Sequence, residues 1–276
     1  GKVPSYGFAL LAISIWLDAW KSGSRRLYVI SGAFGGLSVA FHPVVGLWFC
    51  IGIALSEVWM SAVPGSRGDS VPRRTAILWV QDGLAFSATA FVISLPGLVP
   101  VLSLLTQGDV TGSESDRANY IQVFWRLAHH LDPSTFPVQA WIHTLVLIFV
   151  CILGIWGLRT WQGQSSRSTV SRPWLTLLAA SAVFAVAGVV VGWHSGAASD
   201  MPDWQRRAVV LKFYPFRLFD ALLPMTTALL FGGLMDVAVR RRADRHAIEE
   251  RLSVDLGDRR LRQGENRKPG NAALVS

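Results

Sequence analysis

Charge is scarce in this chain: only 16% of its 276 residues are Asp, Glu, Lys or Arg, against roughly 25% in soluble domains. That shortage excludes an ordinary water-facing catalytic domain and leaves lipid as the solvent. Cysteine is scarcer still, with two residues, Cys50 and Cys151, each inside an apolar stretch. Neither a disulfide framework nor a CxxC metal site is therefore available. Acidic residues are outnumbered 18 to 26 by basic ones, a net +8. The excess sits in short links between apolar stretches and in the tail, where it reads as a topology signal rather than a nucleic-acid surface.

What fills the chain instead is hydrophobic sequence, 51% of it, with 12 Trp. A span of a ~30 Å hydrocarbon core takes roughly 20 apolar residues, so the length suits about seven hydrophobic segments with short loops. The predicted fold is an all-α polytopic bundle over residues 1–239, followed by a basic tail, 240–276. The first residue is Gly1 and no charged leader precedes the first apolar stretch, so the chain reads as the C-terminal part of a longer protein.

Orientation follows from the basic links. Val3 to Trp20 is followed by Lys21, Arg25 and Arg26, and Leu27 to Met60 by Arg67, Arg73 and Arg74. Both links prefer the cytoplasm, so Leu27 to Met60 must go out and return. It is short for two full crossings at ~1.5 Å per residue, and Phe41-His42-Pro43 marks its bend, since proline removes a donor and disfavours helix before it. His42 is thereby predicted at an outward hairpin tip.

The next unit, Thr75 to Leu105, is kinked or ended by Pro96, Gly97 and Pro100, and opens onto an outer polar segment, Thr106 to Pro137. That segment carries Asp109, Glu114, Asp116 and Asp132. Val138 to Leu158 returns to a basic link with Arg159, Arg167 and Arg172. Trp174 to Trp193 leads to a second outer loop, His194 to Lys212, and Phe213 to Val239 ends at Arg240, Arg241 and Arg242. All basic regions fall on one side, which predicts a multi-pass protein of the cytoplasmic (inner) membrane with its tail inside. In that tail Arg245 and Glu249 suit a helix, and the stretch beyond Gly264 reads as disordered. The tail serves either to fix orientation or to meet anionic headgroups. Asp18, Glu57 and Asp82 read as interface residues at the inner ends of spans.

Chemistry-bearing residues gather on the outer side. Ala118 to Leu131 has Ile121, Phe124, Trp125, Ala128 and Leu131 at helical spacing, the pattern of a helix lying in the interface. Arg126, His129 and His130 stand at i, i+3 and i+4 and would share its other face, with Asp132 next to them. Such a group can bind a phosphate through Arg126, hold a divalent metal through the imidazoles and Asp132, or merely meet headgroups. At the mouth of the last span, Arg217 and Asp220 share a helix face at lipid depth, either as a structural pair or as a polyanion site. His42 is a third outer candidate or a helix-end residue with no task. A single site requires Arg217 within ~15 Å of the His129 and His130 face, the limit for sharing one phosphate.

The motif Arg126-Leu-Ala-His129-His130-Leu-Asp132-Pro133, with Tyr214-Pro215-Phe216-Arg217-Leu218-Phe219-Asp220 downstream, resembles a family of large bacterial polytopic membrane proteins classed only as a domain of unknown function. With the Phe41-His42-Pro43 hairpin, it is also similar to the C-terminal half of GT-C glycosyltransferases. That resemblance implies transfer of a sugar from a polyprenyl-phosphate lipid on the non-cytoplasmic face. It also implies Arg126 and Arg217 as phosphate contacts, and His129, His130 and Asp132 as substrate or metal contacts. Such enzymes usually take their catalytic acidic residue, the base, from a first outer loop that would precede Gly1, so no catalytic residue is named. The competing expectation is a non-catalytic protein, a transporter of an anionic lipid or polymer or a structural subunit of an envelope complex. A transporter calls for internal repeats, and Pro96-Gly97 with Pro100 is the sole candidate break.

Overall fold

The computed structural model describes residues 2–62, 76–106, 112–162 and 172–265. The expectations for Arg67, Arg73, Arg74, Asp109, Arg167 and the chain after 265 lie outside the described residues. The described chain is all-helical, without strands. Its long helices are α1 (Lys2–Ser22), α2 (Arg25–Phe41), α3 (Pro43–Ala62), α4 (Ala76–Thr106), α7 (Val138–Gln162), α8 (Arg172–Gly192) and α10 (Arg217–Glu265). Short helices α5 (Gly112–Tyr120), α6 (Ala128–Leu131) and α9 (Trp204–Leu211) lie in the connections at one end.

Among the described residues, six helices are long and apolar enough to cross a membrane: α1, α3, α4, α7, α8 and the first part of α10. The sequence counts about seven segments, and the one that falls short is α2. Its 17 residues reach about 25 Å at ~1.5 Å per residue, less than a ~30 Å core. Surface character agrees with lipid as the surroundings. Only 11% of the apolar window of α7 and 17% of that of α4 is buried, leaving side chains such as Phe91, Phe149 and Trp156 outward (61%, 60% and 65% exposed). Apolar surface on that scale is not left against water by a soluble monomer.

Pairs of touching residues give each helix its direction. Val39 meets Gly46, Gly35 meets Cys50 and Tyr28 bonds Glu57, steps that march evenly away from His42-Pro43, so α2 and α3 form an antiparallel hairpin. Pro43 starts α3, where its missing N–H costs nothing, and the His42 backbone is extended (φ −154°, ψ 93°). The bend read from the sequence is therefore the bend in the fold. Ser5 with Ser38 and Ser31 with Ala12 set α1 antiparallel to α2. Gly32 against Phe86 and Gly36 against Ala90 set α4 parallel to α2. A Cβ on Gly32 or Gly36 would strike backbone carbonyls of α4, so these glycines, four apart, let the two backbones approach. Gly97 of α4 abuts Ala40 in the same way. The helix runs on through Pro96 and Pro100 to Thr106 instead of ending there.

Continuing the chain, α7 and α10 run parallel through Gly154 with Leu230 and Gly157 with Leu234. Trp174 donates to Thr226 Oγ1 at 2.8 Å between antiparallel α8 and α10. The directions alternate, so Lys21, Arg25, Arg26, Arg159, Arg172 and Arg240 share one end of the bundle, here the basic end. The opposite end, the cap end, holds His42, α5, α6 and α9. One core of Trp16, Tyr28, Phe49, Leu177, Leu218 and Leu230 joins the helices, and a smaller one of Val123, Leu131, Ala208, Leu211 and Phe216 seats the cap. Helix α10 continues past the bundle to Glu265, so the helical piece expected around Arg245 and Glu249 is part of one 49-residue helix.

Candidate functional site

The outer segment folds differently from a continuous amphipathic helix. After α5, residues Ile121–Arg126 form a π-helical turn closed by Leu127 N–H donating to the Gln122 carbonyl at 3.0 Å, and Leu127 (φ −121°, ψ 21°) breaks into α6. The wider turn shifts every later residue around the axis. Asn119, Val123 and Leu131 are buried, while Trp125 is 78% exposed and Arg126, His129 and His130 are exposed as well. Arg126 stands exposed, outside the cations that act on His42 and His130.

Asp132 is also accounted for elsewhere. It is 2% exposed and caps the turn at Pro133–Thr135 by accepting from the Ser134 N–H at 3.0 Å. Its other oxygen meets His194 Nε2 at 3.1 Å. The backbone N–H of His194 in turn donates to Ser134 Oγ at 2.8 Å, and its Nδ1 lies 2.7 Å from the Gly196 carbonyl. This network ties the loop after α6 to the loop after α8. Among the described residues no three His, Cys, Asp or Glu side chains converge as metal ligands, because Asp132 turns toward His194 and away from the histidine pair.

The remaining predicted residues do come together. Arg217 acts electrostatically on Tyr6, His42, His130 and Asp220, so the mouth of the last span, the hairpin tip and α6 lie in one region of the cap end. Lys2 belongs to the same group: it acts on His42 and His130, and its ammonium lies 5.7 Å from the Tyr214 ring centroid. The Arg217 guanidinium lies 5.0 Å from the same ring, so one aromatic ring serves two cations. Tyr214 holds this position in the left-handed region, φ 56°, directly before Pro215. That conformation is strained for a side-chain-bearing residue, at a cost of about 1–2 kcal/mol, and such strain concentrates at functional sites. Arg217 and Asp220 do not close to an ion pair within 4 Å, and Lys212 bonds Asn119 Oδ1 at 3.2 Å rather than joining the group.

Protonation favours an anion as the missing partner. Burial, then the neighbouring His129, Arg217 and Lys2, hold the His130 imidazole below its ordinary pKa. Burial, then Lys2, with Arg217 adding, does the same for His42. Both are cations' neighbours and resist becoming cations themselves. His42 Nδ1 accepts from the Val45 N–H at 3.4 Å, which leaves Nε2 as the protonated donor of the neutral ring. The His129 and His130 rings lie side by side, centroids 4.1 Å apart.

Beside the group is a cavity of about 360 Å³ whose walls include His129, His130, Trp141, Phe216, Phe219 and Asp220. Leu145 and Val186 also line it and are 63% and 62% exposed, so it opens sideways between α7 and α8 toward lipid. Asp220 is accessible because it faces this space. The slot is apolar apart from Thr144, His129, His130 and Asp220, with Arg217 one helical turn from Asp220 on α10, a setting that suits a ligand with a polar head and a hydrocarbon tail.

Lys2, Tyr6 and the pairing of Asp132 with His194 are not among the residues that the sequence singles out. Lys2 and Tyr6 had one legible signal: they sit four apart on α1, at the end that alternation assigns to the side of His42. Nothing in the sequence marks His194 as the partner of a residue sixty positions earlier. Compared with protein-family models, curated proteins and solved structures, the chain matches none, so the likeness to the GT-C superfamily stands on its short motifs alone.

Proposed function

We propose that the cap end binds the phosphate of a lipid-linked substrate, and that the chain serves a GT-C-like transfer of a sugar from a polyprenyl-phosphate donor. The observation that carries this reading is the placing of Lys2 and Arg217 against the Tyr214 ring, where both act on His42 and His130, beside a lipid-open cavity. Arg217 and Lys2 supply the charge that a departing lipid phosphate needs. In the transfer, the bond from sugar C1 to phosphate oxygen breaks, the acceptor oxygen bonds C1, and the acceptor proton passes to a base. The neutral imidazole of His130 or the carboxylate of Asp220, both on the cavity wall, can take that proton. The basic links orient the chain with the cap end outside the cytoplasmic membrane and the tail within.

The test is mass spectrometry of lipids that co-purify with the protein, compared with an Arg217→Ala variant of equal thermal stability. A polyprenyl-phosphate species enriched in the parent and reduced about tenfold or more in the variant is expected, the effect of losing one charge-assisted contact. Assays with labelled sugar donors then follow. Bulk phospholipid alone in both samples would defeat this reading and leave the non-catalytic alternative, a transporter or a structural subunit.

A further inference from the structure

Both ring nitrogens of His194 face acceptors. Nδ1 lies 2.7 Å from the Gly196 carbonyl, and Nε2 lies 3.1 Å from Asp132 Oδ2. A carbonyl oxygen only accepts, so in a neutral ring Nδ1 must carry the proton. Nε2 would then set its lone pair against a carboxylate oxygen, which also only accepts. With a second proton on the ring, both nitrogens donate and both contacts become hydrogen bonds, the one to Asp132 charge-assisted. Asp132 is placed to receive it: its other oxygen accepts from the Ser134 N–H at 3.0 Å, and the His194 and Asp132 side chains are only 11% and 2% exposed.

The other charged groups nearby are engaged elsewhere. From α9, Arg207 turns its guanidinium to the Val191 carbonyl at 3.1 Å and to the Met201 sulfur, and Lys212 at the end of that helix bonds Asn119. Asp200, in the connection between α8 and α9, accepts from the Ser199 hydroxyl. His129 and His130 of α6 stack on each other along the cavity wall. The π-helical turn offers the ring only the edge-on face of Phe124, centroids 6.2 Å apart. What the Asp132 contact holds is part of the cap-end cavity. Asp132 caps the turn Pro133–Thr135, and Phe136, next in the chain, lines the cavity with its ring centroid 5.4 Å from Phe216 and 5.9 Å from Trp141. The turn lies directly on the end of α8, where a Cβ on Gly192 would strike the Pro133 ring.

We infer that Asp132 and His194 form a proton-held latch: the imidazolium fastens the Pro133–Phe136 stretch to the end of α8, and loss of its proton loosens this wall of the cavity. Closing takes up one proton, so by mass action the latch holds at lower pH and opens as pH rises. The inference does not rest on the lipid-phosphate reading, because the two acceptors face the ring whatever fills the cavity.

The experiment is amide hydrogen exchange of the full chain in detergent at about pH 5 and about pH 9, either side of an ordinary imidazole's range. Protection factors remove the intrinsic pH dependence of exchange. Protection over residues 133–141 should fall about tenfold or more at the higher pH, the effect of losing one charge-assisted bond, while the hairpin of α2 and α3 keeps its own. Asp132→Asn should abolish this step and hold protection high at both pH values, because its side-chain N–H donates to Nε2 of the neutral ring. His194→Ala should abolish the step by leaving protection low at both. Equal protection at the two pH values in the parent, or a step that survives Asp132→Asn, overturns the proposal. So does low protection throughout in Asp132→Asn, since the donor that the amide supplies would then not be what the contact lacks.

Discussion

Two polar clusters sit at opposite ends of this bundle, and they meet the cost of burying charge near lipid in opposite ways. At the basic end, Glu57 accepts from the Trp16 indole at 2.5 Å and from the Tyr28 hydroxyl at 2.8 Å, both donors being 1% exposed or less. At the cap end, Lys2 and Arg217 act on His42 and His130 beside a cavity lined by His130 and Asp220, and among the described residues no carboxylate closes on Arg217 within 4 Å. The first cluster joins α1, α2 and α3 through one carboxylate oxygen of Glu57. The second is short of negative charge, which is what the proposed lipid phosphate would supply. A buried polar group that finds its partners inside the fold is architecture, whereas one that lacks them beside a cavity is a binding site.

The comparison breaks most visibly at Glu57. Glu57→Ala strands two buried donors, so it should cost about 2–4 kcal/mol, read as a fall in thermal midpoint in detergent. Retention of a lipid phosphate by the folded fraction should be unchanged. Arg217→Ala is its mirror image, losing ligand with little change in midpoint. If instead both variants lost stability and ligand together, the two clusters would not be separable in the way drawn here.

pH sharpens the cap-end side. Because His42 and His130 are held below the ordinary value of about 6.5, both are neutral at pH 7 and gain protons only as pH falls further. Each proton adds positive charge toward an anion, so retention of a polyprenyl phosphodiester, whose charge is constant in this range, should tighten severalfold between pH 7 and 5. The sign is opposite for the free protein: its lowered imidazole pKa values make acid destabilising, since the unfolded chain takes up those protons first. His130→Ala should flatten the binding profile, and a profile that stays steep without His42 and His130 would assign the titration elsewhere.

The smallest effect is expected at Arg126, which the sequence ranks beside Arg217. Exposed and outside the cluster, Arg126→Ala should change lipid retention by less than about twofold, the range of surface charge contacts. A loss as large as that of Arg217→Ala would show that the π-helical turn rearranges to bring Arg126 inward when ligand arrives.

Much of this was legible without coordinates. The hairpin at His42-Pro43 follows from proline's missing donor and the short length of Leu27 to Met60. The shared end of the basic links follows from alternation, since each crossing reverses direction and one miscounted span would have scattered them. The joining of His42, His130, Arg217 and Asp220 was readable as a shared side, though not as contact. The outer segment resisted for a local reason: a π-helical turn adds a residue to one turn, and a pattern read at 3.6 residues per turn does not fix the faces of the residues that follow it. Glu57 and Asp82 read as interface residues, yet Asp82 is 3% exposed and Glu57 is bonded inside the bundle, because depth along a helix says nothing about which way its side chains turn.

The sequence by itself determined that the chain lives in lipid, how its helices alternate, where it bends and which end carries the positive charge. These are properties of composition and of order along one dimension. Only the tertiary structure decided that Asp132 belongs to His194, that Lys2 and Tyr6 of the first helix join Arg217 of the last, and that a cavity lies beside them. Those depend on side-chain direction and on which helices are neighbours, and both are set by close packing through glycines such as Gly32, Gly36 and Gly97, where loss of a side chain lets one backbone lie against another.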